Sequence, residues 1–220
     1  MQDLIKRRIA EGEHQQLEFK FEISDFRKIA RTLVAFANSS GGSLLVGVKD
    51  NGAIAGVRSD EEFFMIDGAA RLYCNPEIQF KVREWLTDKK KVLEIIIAEG
   101  TKKPYMAQDE TGNWIAYIRQ GDENFKAHRI MMKVWEGMNT GKIPTIRFRQ
   151  AELKLLEYLE KNDQISISKF RRIAGLSVSQ AESVLVDFAL IKLIQIEYTL
   201  NAVYFRLTDN YSAILNQFNS

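Results

Sequence analysis

The amino-acid sequence predicts an α/β (α+β) fold in two parts. A mixed-sheet domain is expected over residues 1–140, followed by a small helical domain with a β-hairpin over residues 146–220. Three observations predict it. Strand-length and helix-length windows alternate in mixed order through the first two thirds of the chain. Gly137 to Pro144 (Gly-Met-Asn-Thr-Gly-Lys-Ile-Pro) then reads as a linker. Beyond Pro144 there is no further proline and a single glycine, Gly175, and the apolar spacing turns mostly helical.

The elements follow in order. Residues 1–12 read as a short helix carrying Leu4, Ile5 and Ile9. Gln16 to Phe21 alternates, with Leu17, Phe19 and Phe21 on one face and Gln16, Glu18 and Lys20 on the other, as a strand does. Ser24 and Asp25 offer an N-cap for a helix to about Asn38, striped by Phe26, Ile29, Ala30, Leu33, Phe36 and Ala37. Gly41-Gly42 stops it. Ser43 to Val48 reads as a buried strand, Asn51-Gly52 as a hairpin turn and Ala53 to Val57 as the return strand. A helix over 60–73, strands near 78–85, 92–98 and 114–119, and a helix over 126–138 complete this part. In the second part, helices are expected over 149–161, 168–174 and from Ser177 to Ile191. A hairpin from Leu193 to Leu207 ends it. Helix, helix-turn-helix, hairpin is the order of a winged helix.

Composition limits the function. Hydrophobic residues make up 45% and charged residues 27%, which suits a packed domain and not a disordered chain. No apolar run reaches the roughly 18 residues of a membrane span, and the charged N-terminus has no apolar run behind it, so no secretory signal is expected. One cysteine, Cys74, precludes an internal disulfide and a cysteine-based zinc site. With His14 and His128 alone, a histidine-rich metal site is not expected either. A reducing cytoplasm is the expected compartment. The net charge of +2 divides evenly, with 22 basic and 21 acidic residues up to Thr145 and 9 and 8 after it. A polyanionic partner would therefore be met through a local patch and not through bulk charge.

Several motifs together resemble a known family. Glu13-x4-Glu18-x-Lys20 is similar to the opening of the Schlafen AlbA-type domain. Ala35 to Gly42, followed by Leu44 to Val48, Asp50, Gly52, Ile54 and Gly56-Val57, is similar to its second block. Lys103-Pro104-Tyr105 and Tyr117 to Gly121 are similar to its third. The resemblance covers about residues 11–135. It implies a nucleic-acid-binding or ATP-binding domain in a bacterial regulator or, as the alternative, the divalent-metal-dependent RNase or tRNA nuclease activity of animal Schlafens. By position Glu13, Glu18 and Asp50 match the acids of that activity. They would hold Mg²⁺ or Mn²⁺, with Lys20 beside Glu18 helping to bind a phosphate. The plainer alternative for Glu18 and Lys20 is a solvated strand face or a surface ion pair. Animal Schlafen cores use two tandem copies of the domain, so one copy here implies a homodimer. ATP turnover is not expected. Gly137-x-x-x-Gly141-Lys142-Ile143 is one residue short of a P-loop and ends in Ile, where a hydroxyl would reach magnesium.

In the second part, Lys169, Arg171 and Arg172 form a cationic stretch with no acid before Glu182, suited to positioning phosphates. Ser177, Ser179 and Gln180 open the following helix and could reach phosphates or base edges. Against this, that helix carries Glu182 and Asp187 and no cation before Lys192, which would suit a dimerisation or protein-contact surface instead. DNA is favoured over RNA as the partner, and no membrane contact is expected. Trp114, Tyr117, Tyr204 and Phe205 are assigned to packing before base stacking. His128 is assigned to a helix cap and Cys74 to a helix end. Arg119 and Arg129 are expected to share a groove with the acids.

Overall fold

The computed structural model describes residues 2–144 and 147–218. The chain divides into two compact units after Ala127. The first contains α1 (Gln2–Ala10), β1 (Leu17–Lys20), α2 (Phe26–Asn38), β2 (Gly42–Val46), α3 (Glu61–Leu72), β3 (Cys74–Asn75), β4 (Phe80–Thr87), β5 (Lys90–Ile97), β6 (Met106–Gln108), β7 (Trp114–Gln120) and β8 (Glu123–Lys126). Two four-stranded sheets run in the orders β1-β2-β5-β4 and β3-β6-β7-β8. Within the first, β1 and β2 are parallel and the other pairs antiparallel, so the sheet is mixed as expected.

Alternation along β2 explains the layering. Leu44 and Val46 join the core built on α2 and α3, whereas Leu45 joins a second core with Ile5 and Ile9 of α1. The first sheet is thus covered on both faces. Helix α2 is buried almost all round from Ile29 to Asn38, because it also supports the second sheet through Tyr117 and Ala107. Asp25 caps it as expected, accepting from the Arg27 and Lys28 amides.

The expected hairpin after β2 does not form. Val48 and Ile54 make one isolated bridge, and no strand covers 53–57. Gly47 lies at φ +91, and its carbonyl accepts from both Ala55 and Gly56, which closes a compact loop in place of a ladder. The expected helix over 126–138 begins late, since Glu123–Lys126 instead pairs with β7 as β8. Strands β3 and β6 were too short to carry a periodic signal.

The second unit contains α4 (Arg129–Asn139), α5 (Gln150–Lys161), α6 (Ile167–Ala174), α7 (Val178–Leu190), β9 (Ile194–Tyr198), β10 (Val203–Leu207) and α8 (Tyr211–Phe218). Its core centres on the fully buried Phe170, Phe188 and Phe205, one each from α6, α7 and β10. Helix α4, expected to close the first domain, contributes Ile130 and Val134 to this core, so the division falls one helix earlier than the expected linker at Gly137 to Pro144. Ile146, the expected start of the second domain, lies outside the described residues. Ser166 caps α6, and Gly175 at φ +67 ends it with its amide on the Arg171 carbonyl. Ser177 and Gln180 then form a reciprocal capping box on α7. The axes of α6 and α7 differ by 111° across this turn. Ile165 and Phe205 exchange backbone hydrogen bonds of 2.9 Å in both directions, tying the approach to α6 onto the hairpin. No single described helix is long and apolar enough to cross a membrane.

Candidate nucleic-acid interface

The acids of the first unit are not gathered. Glu18 on β1 is buried, not solvated. Its Oε1 lies 2.7 Å from Lys20 Nζ and accepts from Thr32 Oγ1 at 3.3 Å. Its Oε2 lies 2.7 Å from Arg119 Nη1. Glu13 turns back on the chain, and its Oε1 accepts from the Phe19 amide at 2.8 Å. Asp50 is exposed and lines a different place, a cleft of ≈ 660 Å³ shared with Lys6, Phe19, Asn51 and Asp88. Among the described residues no group of three or more His, Cys, Asp or Glu side chains could hold a metal ion. A hard dication needs convergent, uncompensated carboxylate oxygens. Glu18 carries two cations already. The expected Mg²⁺ or Mn²⁺ site on Glu13, Glu18 and Asp50, and the role of Lys20 beside it, do not fit this arrangement.

Arg119 shows why Glu18 is occupied. It is buried on β7, with Nε donating to the His14 carbonyl, Nη2 to the Leu17 carbonyl and Nη1 to both Glu18 and Asn124. Its guanidinium also sits 4.8 Å from the Phe36 ring centroid. With that many acceptors, Arg119 stitches β1 to β7 and is not a groove residue. Glu94 plays the same part within the first sheet. It is buried on β5 and accepts from Trp85 Nε1 at 2.8 Å and Ser43 Oγ at 3.0 Å, and it pairs with Arg8 of α1. Sequence reasoning missed Glu94. Its signal was a single acid inside the apolar run Val92 to Ile97.

The second unit holds the cations expected to meet phosphates, in unequal settings. Arg172 is exposed. Lys169 is half-buried, with its ammonium 5.6 Å from the Tyr158 ring centroid. Arg171 is half-buried too, and its Nε is buried with no hydrogen-bond partner among the described residues. Ser177 Oγ accepts from the Gln180 amide, and Gln180 Oε1 accepts from the Ser177 amide at 2.9 Å. Those two side chains therefore cap α7 first, and Ser179 is the exposed member of the expected trio with no side-chain hydrogen bond among the described residues.

The acids of α7 both prove to be paired with cations. Glu182 is buried against α4, 2.5 Å from Arg129 Nε and 2.5 Å from Lys133 Nζ. The Lys133 hydrogen bond and the Arg129 charge hold its carboxyl below the usual carboxylate range. Asp187 lies 2.7 Å from Lys142 Nζ. Arg129 therefore belongs to this seam and not to the acids of the first unit. His128 caps α4 as expected, with Nδ1 accepting from the Ile130 amide at 3.3 Å. Burial and the neighbouring Arg129 push its pKa down. Its own amide donates to Tyr198 Oη at 3.0 Å, and burial raises that phenol to about 12.

Comparisons with known proteins bear on the first unit. The model of the family described as Schlafen, AlbA_2 matches residues 13–128. The crystal structure of the DIP2311 protein from Corynebacterium diphtheriae is similar at 18% identity and a TM-score of 0.42, over 62% of this chain and 31% of that one. The chain thus spans about a third of that protein's length. The solution structure of the N-terminal domain of a putative ATP-dependent DNA helicase RecG-related protein from Nitrosomonas europaea is similar at 19% identity and a TM-score of 0.40. It covers 58% of this chain and 91% of that one. No curated protein matches the chain.

Proposed function

The chain belongs to the Schlafen, AlbA_2 family, and from that premise we propose that it binds nucleic acid, as a DNA-binding regulator whose second unit is a winged helix. In this reading α6 and α7 are the helix-turn-helix, the first turn of α7 enters the major groove, and the β9–β10 hairpin is the wing. A crossing of 111° over a glycine-containing turn lies within the range of such motifs.

One observation carries the reading. Both acids that would repel a polyanion from α7 are neutralised, Glu182 by Arg129 and Lys133 of α4 and Asp187 by Lys142. What α7 leaves outward at its start is uncharged: the apolar Val178 and the polar Ser179, Gln180 and Ser183, all exposed. The protein-contact alternative rested on Glu182 and Asp187 and on the lack of a cation before Lys192; the pairings account for the two acids, while the lack of cations in α7 stands. The nuclease alternative has no comparable observation behind it, since Glu18 is already neutralised.

The test is duplex binding by fluorescence anisotropy at several salt concentrations. The Arg171→Ala/Arg172→Ala variant removes two cations that would each neutralise a phosphate. It should bind more weakly, with a log–log salt slope flatter by about 1.8. Affinity and slope equal to those of the unaltered protein would sink the assignment.

A further inference from the structure

The first unit has a cationic cleft that neither the acid trio nor α6 and α7 account for. It measures ≈ 350 Å³ and lies between the start of α2, the turn after β6 and the β7–β8 pair. Arg27, Lys28, Arg31 and Lys126 line it, and none of the four is in an ion pair among the described residues. Lys6, Arg8, Lys20, Arg71 and Arg119 pair with carboxylates, while Lys49, Lys81 and Lys102 are also outside any ion pair among the described residues, so it is the gathering of four such cations in one cleft that sets this place apart.

Three acids, Asp25, Asp109 and Glu110, share the lining with the four cations and leave a net charge of +1, so the site depends on where the cations stand and not on bulk charge. Asp25 spends Oδ1 on the Arg27 and Lys28 amides. Asp109 spends Oδ1 on its own turn, accepting from the Thr111 amide, Thr111 Oγ1 and the Asn113 amide, bonds that lower its pKa. Glu110 is left as the one lining acid without such a bond among the described residues. Two of the cations lie over aromatic rings. The Arg31 guanidinium lies 5.3 Å from the Tyr117 ring centroid, and that of Arg27 lies 5.1 Å from Tyr73 while its Nε donates to the Asp109 carbonyl. An arginine held against an aromatic face loses less freedom when it binds, and its outer face can accept a base.

We propose that this cleft binds a nucleotide phosphate, with Arg31 and Lys126 as the principal contacts. Its volume suits one nucleotide and not a double helix, so the ligand is either one unit of a single strand or a free nucleotide. The proposal goes beyond the duplex surface of α6 and α7 and stands or falls separately from it.

The test uses the full chain, anisotropy of a labelled single-stranded 12-mer, and calorimetry with adenosine monophosphate. The variant Arg31→Ala/Lys126→Ala alters two exposed side chains, and Lys81→Ala/Lys102→Ala removes the same charge elsewhere on the unit. The cleft variant should lose about tenfold in 12-mer affinity, with a salt slope shallower by roughly 1.4. The control should stay within about twofold. Loss in the 12-mer arm alone identifies a strand, whereas loss in the mononucleotide arm as well identifies a free nucleotide. No binding of either probe by the unaltered protein, unchanged binding in the cleft variant, or an equal loss in the control would overturn the proposal. Duplex affinity of the Arg171→Ala/Arg172→Ala variant, measured alongside, reports on the second unit independently.

Discussion

Glu182 carries its charge into the seam between α4 and α7, and its surroundings determine what α7 can face. From the sequence it is an acid on a helix that should meet a polyanion. Its partners lie 53 and 49 positions earlier, Arg129 and Lys133, and no local spacing announces them. Glu18 was hidden in the same way, since Arg119 is 101 positions away. Caps were legible because they are local: Asp25, His128 and Ser177 each bond within three residues. Replacing Glu182 with Ala removes the shared anion. Because Arg129 and Lys133 keep about half of their surface in water, the cost should be modest, about 1 kcal/mol in urea melts of the full chain. At Cys74 the expectation is silence. The thiol is buried on the Ala30 carbonyl and pushed up to about 12, so a disulfide reagent should label it only after unfolding. Labelling of the native chain as fast as of a denatured one would contradict that burial.

Among elements, α4 shows how pairing and capping combine. His128 caps it only as the neutral imidazole, and its pKa is lowered in the fold. The unfolded chain therefore takes up the proton first, so this contribution is present above about pH 6.5 and fades as the pH falls. Glu182 has a lowered pKa too, so its contribution is held above the usual carboxylate range and lost below it. Both act in the same direction. The second unit should lose stability in two stages on acidification, and His128→Asn, which can cap without titrating, should remove the first. Thermal melts between about pH 3 and 7.5 would decide this. The loop after β2 was misjudged for a related reason. Asn51-Gly52 forms its turn, yet the backbone at Gly47 diverts the chain before a ladder can form. A Cβ at Gly47 would lie 2.9 Å from the Gly56 carbonyl carbon, at a φ that disfavours side chains. Gly47→Ala should therefore cost more than about 1 kcal/mol in the first unit.

For the whole molecule, the mixed α/β architecture and the presence of two parts were readable from alternating periods and from the shift in texture after Pro144. The position of the division was not. Helix α4 has an amphipathic stripe that either unit could bury, and only the packing of Ile130 and Val134 decides it. In the proposed function the duplex surface belongs to the second unit, and the nucleotide cleft of the first unit is a separate proposal. The family resemblance leads to the expectation of a homodimer, and light scattering tests it: twice the monomer mass would support it and the monomer mass would refute it. The proposal that the second unit reads DNA through α7 is checked most closely by an NMR titration of the full chain with a short duplex. Amide shifts should concentrate at Arg172, Ser179, Gln180 and Ser183 and in the β9–β10 hairpin. Shifts confined to the first unit, or none at the start of α7, would refute it.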